Sequence, residues 1–145
     1  MMKLSGLILL ITGLLVGCGS ADQIEVTVYK SPTCGCCKKW VRHLEENGFK
    51  VISHDVSDVQ VIKDKYGVHH DLTSCHTAMV NGYVMEGHVP ADDIKRFLTK
   101  PPSDVVGLTV PGMPMGSPGM EGNRKDDYNV YTFTKDNKIA VYSSH

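Results

Sequence analysis

Three cysteines lie within four residues of one another in the segment TCGCCKKW, which begins at Thr33. Cys34 and Cys37 form a CxxC pair, and this spacing places both side chains on one face of a helix that begins there. A cysteine just ahead of a helix meets unpaired N–H groups and the positive end of the helix dipole, which favours the thiolate of Cys34. These two thiols alone would suffice for thiol–disulfide exchange.

Cys36 adds a thiol that a redox pair does not need. It invites mispairing, and neighbouring thiolates repel one another unless a cation offsets their charge. A soft metal ion solves both problems, because coordinated thiols stay deprotonated. Cys36 and Cys37 diverge by about 100° on a helix, which hinders binding to one ion but favours sulfurs that bridge several. The motif therefore predicts a multinuclear thiolate site rather than a single zinc ion.

The hydrophobic pattern predicts the elements that position these cysteines, in the order β, α, β, α, β, β, α. This order, with a cysteine motif between the first strand and the first helix, predicts an α/β fold of the thioredoxin-like sandwich type. The strands are expected over 23–30, 49–57, 77–80 and 83–86, and the helices over 36–47, from 57 or 58 to 67, and from Pro90 onward.

A fourth cysteine is expected to face the first three. In a thioredoxin-like fold the loop before the third strand packs against the CxxC, and this loop holds Cys75 and His76. A lone free cysteine is more often a small buried apolar residue. Because Cys75 is expected to lie opposite CGCC, however, the hypothesis that it is a metal ligand is preferred. His88 ends the fourth strand near the same edge, as a further ligand or a residue that supports one.

Methionines add a softer signal in the segment 106–123, which is rich in Gly and Pro and is expected to be irregular. Met113, Met115 and Met120 lie there without the spacing of an amphipathic element. Thioether sulfur is a ligand that Cu(I) favours. The alternative is that these side chains fold back over the core. Met113 and Met115 are the stronger candidate ligands, and Met120 is a candidate for a residue that supports the ligands without binding the metal.

The first 18 residues are typical of an export signal. A basic start at Lys3 precedes an apolar run that is shorter than the ~20 residues of a spanning helix. The run ends in LVGC, which resembles the bacterial lipobox and predicts lipidation of Cys18. The expected location is the periplasm, with a lipid anchor in the outer membrane. The alternative is an ordinary cleaved signal.

The remaining residues, 19–145, are expected to form one domain, with a core over about 23–100 and an extension over about 101–145. The extension should end in a β-hairpin that turns at Asp136 and Asn137. With 15 Lys and Arg against 16 Asp and Glu, and no basic run, the chain lacks the signature of a nucleic-acid surface.

Three motifs carry a family resemblance: SPTCGCCKKW, LTSCHTAMVNGYVMEGHVPADDIKRFL and GLTVPGMPMGSPGME. Together they closely resemble the CopG-type family of bacterial periplasmic copper-resistance proteins. The resemblance implies a thioredoxin-like fold that binds several copper ions through cysteine sulfur, encoded near copper-export and copper-oxidase genes. The family's CxCC motif falls on Cys34, Cys36 and Cys37, its CHT motif on Cys75, His76 and Thr77, and its PGMPxGSPGM loop on 111–120.

The leading hypothesis is a copper-resistance protein that holds a cysteine-bridged Cu(I) cluster, with cycling between Cu(I) and Cu(II) as a further expectation. One alternative is a thiol–disulfide oxidoreductase with Cys34 as nucleophile and Cys37 as resolving thiol. Another is a chaperone that passes copper to an export pump, a copper oxidase or another periplasmic redox protein. The sequence leaves enzymatic turnover open.

Overall fold

The computed structural model describes residues 22–145; the predicted signal peptide and Cys18 lie outside the described residues. The described chain folds into a mixed α/β structure with one sheet of seven strands and three α-helices, which confirms the expected fold class. The elements are β1 (Glu25–Lys30), α1 (Gly35–Glu46), β2 (Lys50–Asp55), α2 (Val59–Lys65), a 3₁₀ turn (His70–Leu72), β3 (His76–Val80), β4 (Tyr83–Gly87), α3 (Ala91–Thr99), β5 (Val105–Val110), β6 (Asn129–Thr134) and β7 (Ile139–Ser144).

The strands are ordered β2-β1-β3-β4-β5-β6-β7 across the sheet. The pairs β1/β2 and β4/β5 are parallel, and each is connected through a helix. The other neighbours are antiparallel. Because β1 and β3 are adjacent and antiparallel, the end of β1 and the start of β3 meet at one edge of the sheet. The cysteine motif follows the end of β1, and Cys75 immediately precedes the start of β3.

Two apolar clusters hold the sheet between its helices. Trp40 of α1 and Phe97 of α3 pack with Val28 and Met85 in the larger cluster. The smaller cluster, below α2 and the 3₁₀ turn, contains Val84 and three other buried side chains. Successive residues of a strand point to opposite faces, so Val84 and Met85 contribute to different clusters. The sequence alternation of β4 thus accounts for a sheet that is covered on both sides.

The turn signals of the sequence are confirmed at three positions. Asn81 and Gly82 join β3 to β4 with φ angles of +48° and +84°, as a tight hairpin requires. Asp58 caps α2 by accepting a hydrogen bond from the Gln60 N–H at 2.9 Å. Asn137 adopts φ +60° between β6 and β7. The pattern thus predicts the turns between β3 and β4 and between β6 and β7, and the start of α2.

The expectation that 106–123 is wholly irregular is wrong for its first five residues. They belong to β5, which pairs in parallel with β4 and whose last four residues are buried. Val106, Thr109 and Val110 are β-branched and suit a strand that is covered on both faces. The Gly and Pro content governs only the following segment, residues 111–128, which contains neither helix nor strand. We call this segment the Met loop.

Between residues 22 and 145, the structure contains no helix that is both long enough and apolar enough to cross a bilayer.

Candidate metal centre

The cysteine motif forms the first turn of α1. Cys34 is the N-cap residue, and its sulfur accepts a hydrogen bond from the Cys37 N–H at 3.3 Å. Cys34 and Cys37 are joined by a disulfide. Cys37 is completely buried, because the helix turns it towards the core. The CxxC pair therefore has the geometry of a redox disulfide at a helix N-terminus.

The other two cysteines are free thiols that lie against this disulfide. The Cys36 sulfur is 3.5 Å from that of Cys34 and 3.7 Å from that of Cys75. All four sulfurs lie within 4.8 Å of one another. The structure thus brings together the four cysteines that the sequence analysis selected, although no ligand role is tested by this placement alone.

Cys75 is poised as a protonated thiol in the metal-free protein. Burial, followed by the nearby Cys36, raises the pKa of Cys75 to about 12. A cation bound at the sulfur would stabilise the thiolate and reverse this shift. The environment of Cys75 therefore favours either a neutral thiol or a metal-bound thiolate.

His88 presents a bare ring nitrogen to Cys75. Its Nδ1 lies 2.7 Å from the Pro118 carbonyl oxygen and donates to it, which leaves Nε2 as the acceptor nitrogen. Nε2 is 2.9 Å from the Cys75 sulfur. Burial lowers the pKa of His88, which keeps the ring neutral. Histidine ligands are commonly oriented by a hydrogen bond of this type at the other ring nitrogen.

His76 lies below Cys75, with Nδ1 3.4 Å from its sulfur. The ring is fully buried and packs on Trp40 with a centroid separation of 4.3 Å. Burial, and next the adjacent His88, lower the pKa of His76 well below its usual range. Within residues 22–145, Nε2 of His76 is a buried polar atom without a hydrogen-bond partner, which is uncommon in folded proteins. His76 is thus a neutral imidazole held at the centre.

The Met loop covers the exposed side of the thiols. Met113 Sδ lies 4.0 Å from Cys36 Sγ, and its side chain is 51% exposed. Met115 and Met120 line a cavity of about 280 Å³ that Cys36 also lines. The structure places Met113 in contact with the thiols and the other two methionines at the rim. Their roles as ligands stay predictions.

Gly119 allows the Met loop to approach the helix this closely. It has φ +93°, and a Cβ there would lie 2.7 Å from the Cys36 carbonyl oxygen and 3.0 Å from the Trp40 nitrogen. No side chain fits between the loop and α1 at this point. The glycine thereby brings the Pro118 carbonyl within reach of His88.

Sequence analysis missed two charged residues beneath the site, Lys63 and Glu86, which are buried as an ion pair. Glu86 lies in the short apolar strand YVMEG, and a carboxylate inside such a strand is the only signal that could have drawn attention to it. Nothing in the pattern of α2 distinguishes Lys63 from the exposed lysines around it.

The donor set suits a soft metal ion. Two groups of Cys, His, Asp or Glu within residues 22–145 are close enough to hold an ion: the four cysteines, and Cys75 with His76 and His88. Both consist of sulfur and imidazole donors and contain no carboxylate. Thiolate and thioether donors select Cu(I) over hard cations, whereas imidazole is also compatible with Zn. The residues present therefore fit copper, and the Met113 thioether favours Cu(I).

Comparison with known proteins agrees with the fold. Residues 26–68 match the glutaredoxin family model, and residues 72–120 match a family described as a protein of unknown function, DUF411. No curated protein matches the chain. Two solved structures, described as copper resistance protein copG in its forms 2 and 1, are each 43% identical to it, with a TM-score of 0.80. The similarity covers 86% of this chain and 99% and 98% of those chains. An identity of this level over nearly the whole of both structures establishes that the chain belongs to the CopG copper resistance protein family.

Proposed function

We propose that this is a copper-resistance protein that binds several Cu(I) ions through the sulfurs of Cys34, Cys36, Cys37 and Cys75. The observation that supports it is the gathering of these four sulfurs within 4.8 Å, in a chain related to proteins named for copper resistance. His88, His76 and Met113 are additional donors at the edge of the sulfur group, and Met115 and Met120 cover it.

Charge favours more than one ion. Four thiolates carry four negative charges, and a single Cu(I) would leave three of them in a half-buried site. Each further Cu(I) offsets one charge, and a sulfur that bridges two ions removes the repulsion between its neighbours. The divergence of Cys36 and Cys37 on the helix disfavours binding of both to one ion and favours bridging between several. The cluster is therefore multinuclear.

The Cys34–Cys37 disulfide connects copper binding to redox chemistry. Only the reduced chain offers four thiolates, and reduction of the disulfide to two thiolates takes two electrons. In the reverse direction, two Cu(II) ions each accept one electron while the Cys34 and Cys37 thiolates form one disulfide. The protein is thereby suited to convert two Cu(II) ions to Cu(I) per pair of thiolates, and an external reductant would restore the thiolates.

Copper stoichiometry tests the cluster. The chain is reduced and titrated with Cu(I) under anaerobic conditions, and bound copper is counted per chain by elemental analysis. We expect several ions per chain and, by X-ray absorption, a first coordination sphere dominated by sulfur. One ion or none per chain would reject the cluster.

The second candidate is a thiol–disulfide oxidoreductase, which the disulfide at the N-terminus of α1 favours. The variant Cys36→Ser separates the two functions. An oxidoreductase should keep its disulfide exchange, because Cys34 and Cys37 are intact. A copper cluster should lose ions, because the central sulfur is gone. Oxidation of a dithiol substrate to its disulfide, coupled to reduction of the Cys34–Cys37 disulfide of the variant, is followed, and copper is counted as before.

The proposal also includes the location of the protein and the destination of its copper. Cys18 carries a lipid that holds the protein at the outer membrane, and copper passes to an export pump, a copper oxidase or another periplasmic redox protein. Cys18→Ser should release the protein into the soluble periplasmic fraction, and mass spectrometry of the N-terminal peptide should find the lipid only in the wild type. A wild-type peptide without lipid would refute the anchor.

A further inference from the structure

Glu86 is a completely buried carboxylate that accepts hydrogen bonds from three sides. Its Oε1 receives the Ser74 N–H at 2.7 Å and the Lys63 ammonium, and its Oε2 receives the Thr77 hydroxyl at 2.6 Å. Lys63, which is 4% exposed, also donates to the Thr77 hydroxyl oxygen at 3.1 Å. The carboxylate therefore ties α2, the start of β3 and β4 together directly below Cys75.

Ser74 extends this connection to the Met loop. Its hydroxyl donates to the Gly112 carbonyl oxygen, and the Gly112 N–H donates to the Thr73 carbonyl oxygen at 3.1 Å. Gly112 immediately precedes Met113, and Ser74 immediately precedes Cys75. The Glu86 carboxylate is thus one hydrogen bond from Ser74, the neighbour of Cys75, and two hydrogen bonds from Gly112, the neighbour of Met113.

The packing around Ser74 leaves little freedom. Gly87 follows Glu86 with φ +73°, and a Cβ there would lie 2.5 Å from the Ser74 side chain and 2.7 Å from the Val110 carbonyl oxygen. Ser74 occupies the space that this glycine vacates. Its amide can therefore reach Glu86 while its hydroxyl faces the Met loop.

We propose that the Lys63–Glu86 ion pair positions the Cys75 and Met113 sulfurs for copper while touching neither of them. This inference rests on the proposed function of the same site. A buried pair contributes little net stability, because desolvation of both charges offsets their attraction. The pair instead acts through geometry. Lys63, Ser74 and Thr77 donate to the carboxylate and hold it in place, and the carboxylate holds Ser74, which binds the Met loop at Gly112.

The test replaces the pair without leaving a buried unpaired charge. The double variant Lys63→Met with Glu86→Met keeps the side-chain length and removes the acceptor for the Ser74 N–H. Lys63→Arg retains the cation and is the conservative variant. The matched control is Asp93→Asn, because Asp93 is also buried and accepts from Arg96, Ser143 and His145, in a network that lacks the cysteines.

Two measurements report on the positions of the sulfurs. Thermal unfolding reports separately on stability. The first is alkylation of the disulfide form, in which Cys36 and Cys75 are the free thiols of the described chain; peptide mass spectrometry separates their rates. The second is Cu(I) affinity of the reduced protein, measured by competition with bathocuproine disulfonate. We expect the double variant to alkylate Cys75 several-fold faster than the wild type, with little change at Cys36. Its Cu(I) affinity should fall about 10–100-fold, the range known for residues that orient metal ligands.

Lys63→Arg and Asp93→Asn should keep wild-type alkylation and affinity. Unchanged Cys75 reactivity and copper affinity in the folded double variant would overturn the inference, and so would equal changes in Asp93→Asn. If the double variant does not fold, Ser74→Ala decides, since it removes the hydroxyl link to Gly112 together with the 3.9 Å contact of that hydroxyl with the Cys75 sulfur. It should weaken Cu(I) binding a few-fold, and wild-type affinity would refute the link. A wild type that binds no Cu(I) would refute the proposed function, while the alkylation contrast would still test the positioning of Cys75.

Discussion

The two sides of the candidate centre are built in different ways. The helix side consists of Cys34, Cys36 and Cys37 and lies within the first turn of α1. The opposing side consists of Cys75, His88 and Met113, which come from the start of β3, the end of β4 and the Met loop. The helix side depends on local helix geometry, whereas the opposing side depends on long-range contacts. The comparison teaches that one motif supplies three of the four cysteine sulfurs, and the tertiary fold determines what faces them.

The largest expected effect comes from removal of the one cysteine on the opposing side. Cys75→Ser leaves three sulfurs on a single helix turn, so we expect the copper count per chain to fall further than in Cys34→Ser, which leaves sulfurs on both sides. Anaerobic Cu(I) titration of both reduced variants measures the difference. Equal losses in the two variants would remove the distinction between the sides.

A second prediction concerns the contact that holds the Met loop against the helix side. Gly119→Ala should lower the free energy of unfolding by about 2–4 kcal/mol, because the added methyl meets backbone atoms and φ +93° is unfavourable for alanine. Gly112→Ala is the control: φ is +69°, but nothing lies within 4 Å of its Cβ. It should cost only about 1–2 kcal/mol. Urea denaturation of the metal-free protein measures both, and the same loss in both would contradict the close approach at Gly119.

The opposing side should also make stability depend on pH. Burial lowers the pKa of both His76 and His88 below the usual 6.5. Below pH 6.5 the unfolded chain therefore binds protons that the folded chain does not, and the free energy of unfolding falls as pH decreases, by at most about 1.4 kcal/mol per pH unit for each ring. At alkaline pH, Cys75 stays protonated in the fold to about pH 12, so stability falls as pH rises above 9.0.

Denaturation of the disulfide form from pH 5 to 10 measures this profile, and the two disulfide sulfurs of the helix side contribute nothing to it because they do not titrate. His88→Gln should reduce the slope of the acid limb and leave the part that comes from His76, and Cys75→Ser should flatten the alkaline limb. A stability that is constant from pH 7 to pH 5 would contradict the assignment of neutral buried imidazoles.

The smallest effect is expected at Met113, which is half exposed and 4.0 Å from Cys36 Sγ. Met113→Leu keeps the size of the side chain but removes the thioether, so Cu(I) affinity should fall only a few-fold. Stability should stay unchanged within about 0.5 kcal/mol, as for most surface substitutions. Met79→Leu, in the cluster below α2, is the control and should leave affinity unchanged. An equal affinity for Met113→Leu and wild type would remove this methionine from the opposing side.

How much of the site could be predicted from the sequence differs between the helix side and the opposing side. The helix side is visible because CGCC is contiguous, and Asn81–Gly82 reveals the hairpin that aligns β3 with β4. Cys75 could be placed only through the inferred fold. The orientation of the His88 ring could not be predicted, since the carbonyl that orients it belongs to Pro118, 30 residues later. Glu86 looked like an ordinary strand residue because its partners are distant in sequence.

β5 was missed for a related physical reason. It is short, contains Gly107 and runs directly into a segment of Gly and Pro, so its composition resembles that of a loop. Its strand character comes from burial between β4 and β6. At Gly107 a Cβ would lie 1.8 Å from the Val84 carbonyl oxygen, so a glycine that suggests a loop in sequence is required by the packing of the sheet.

The direction of β1 has a consequence for a tethered protein. β1 starts at Glu25 and delivers the chain to the cysteine motif at its far end, about 20 Å away for six residues of strand. The proposed lipid at Cys18 would therefore join the fold at the end of β1 remote from the four sulfurs.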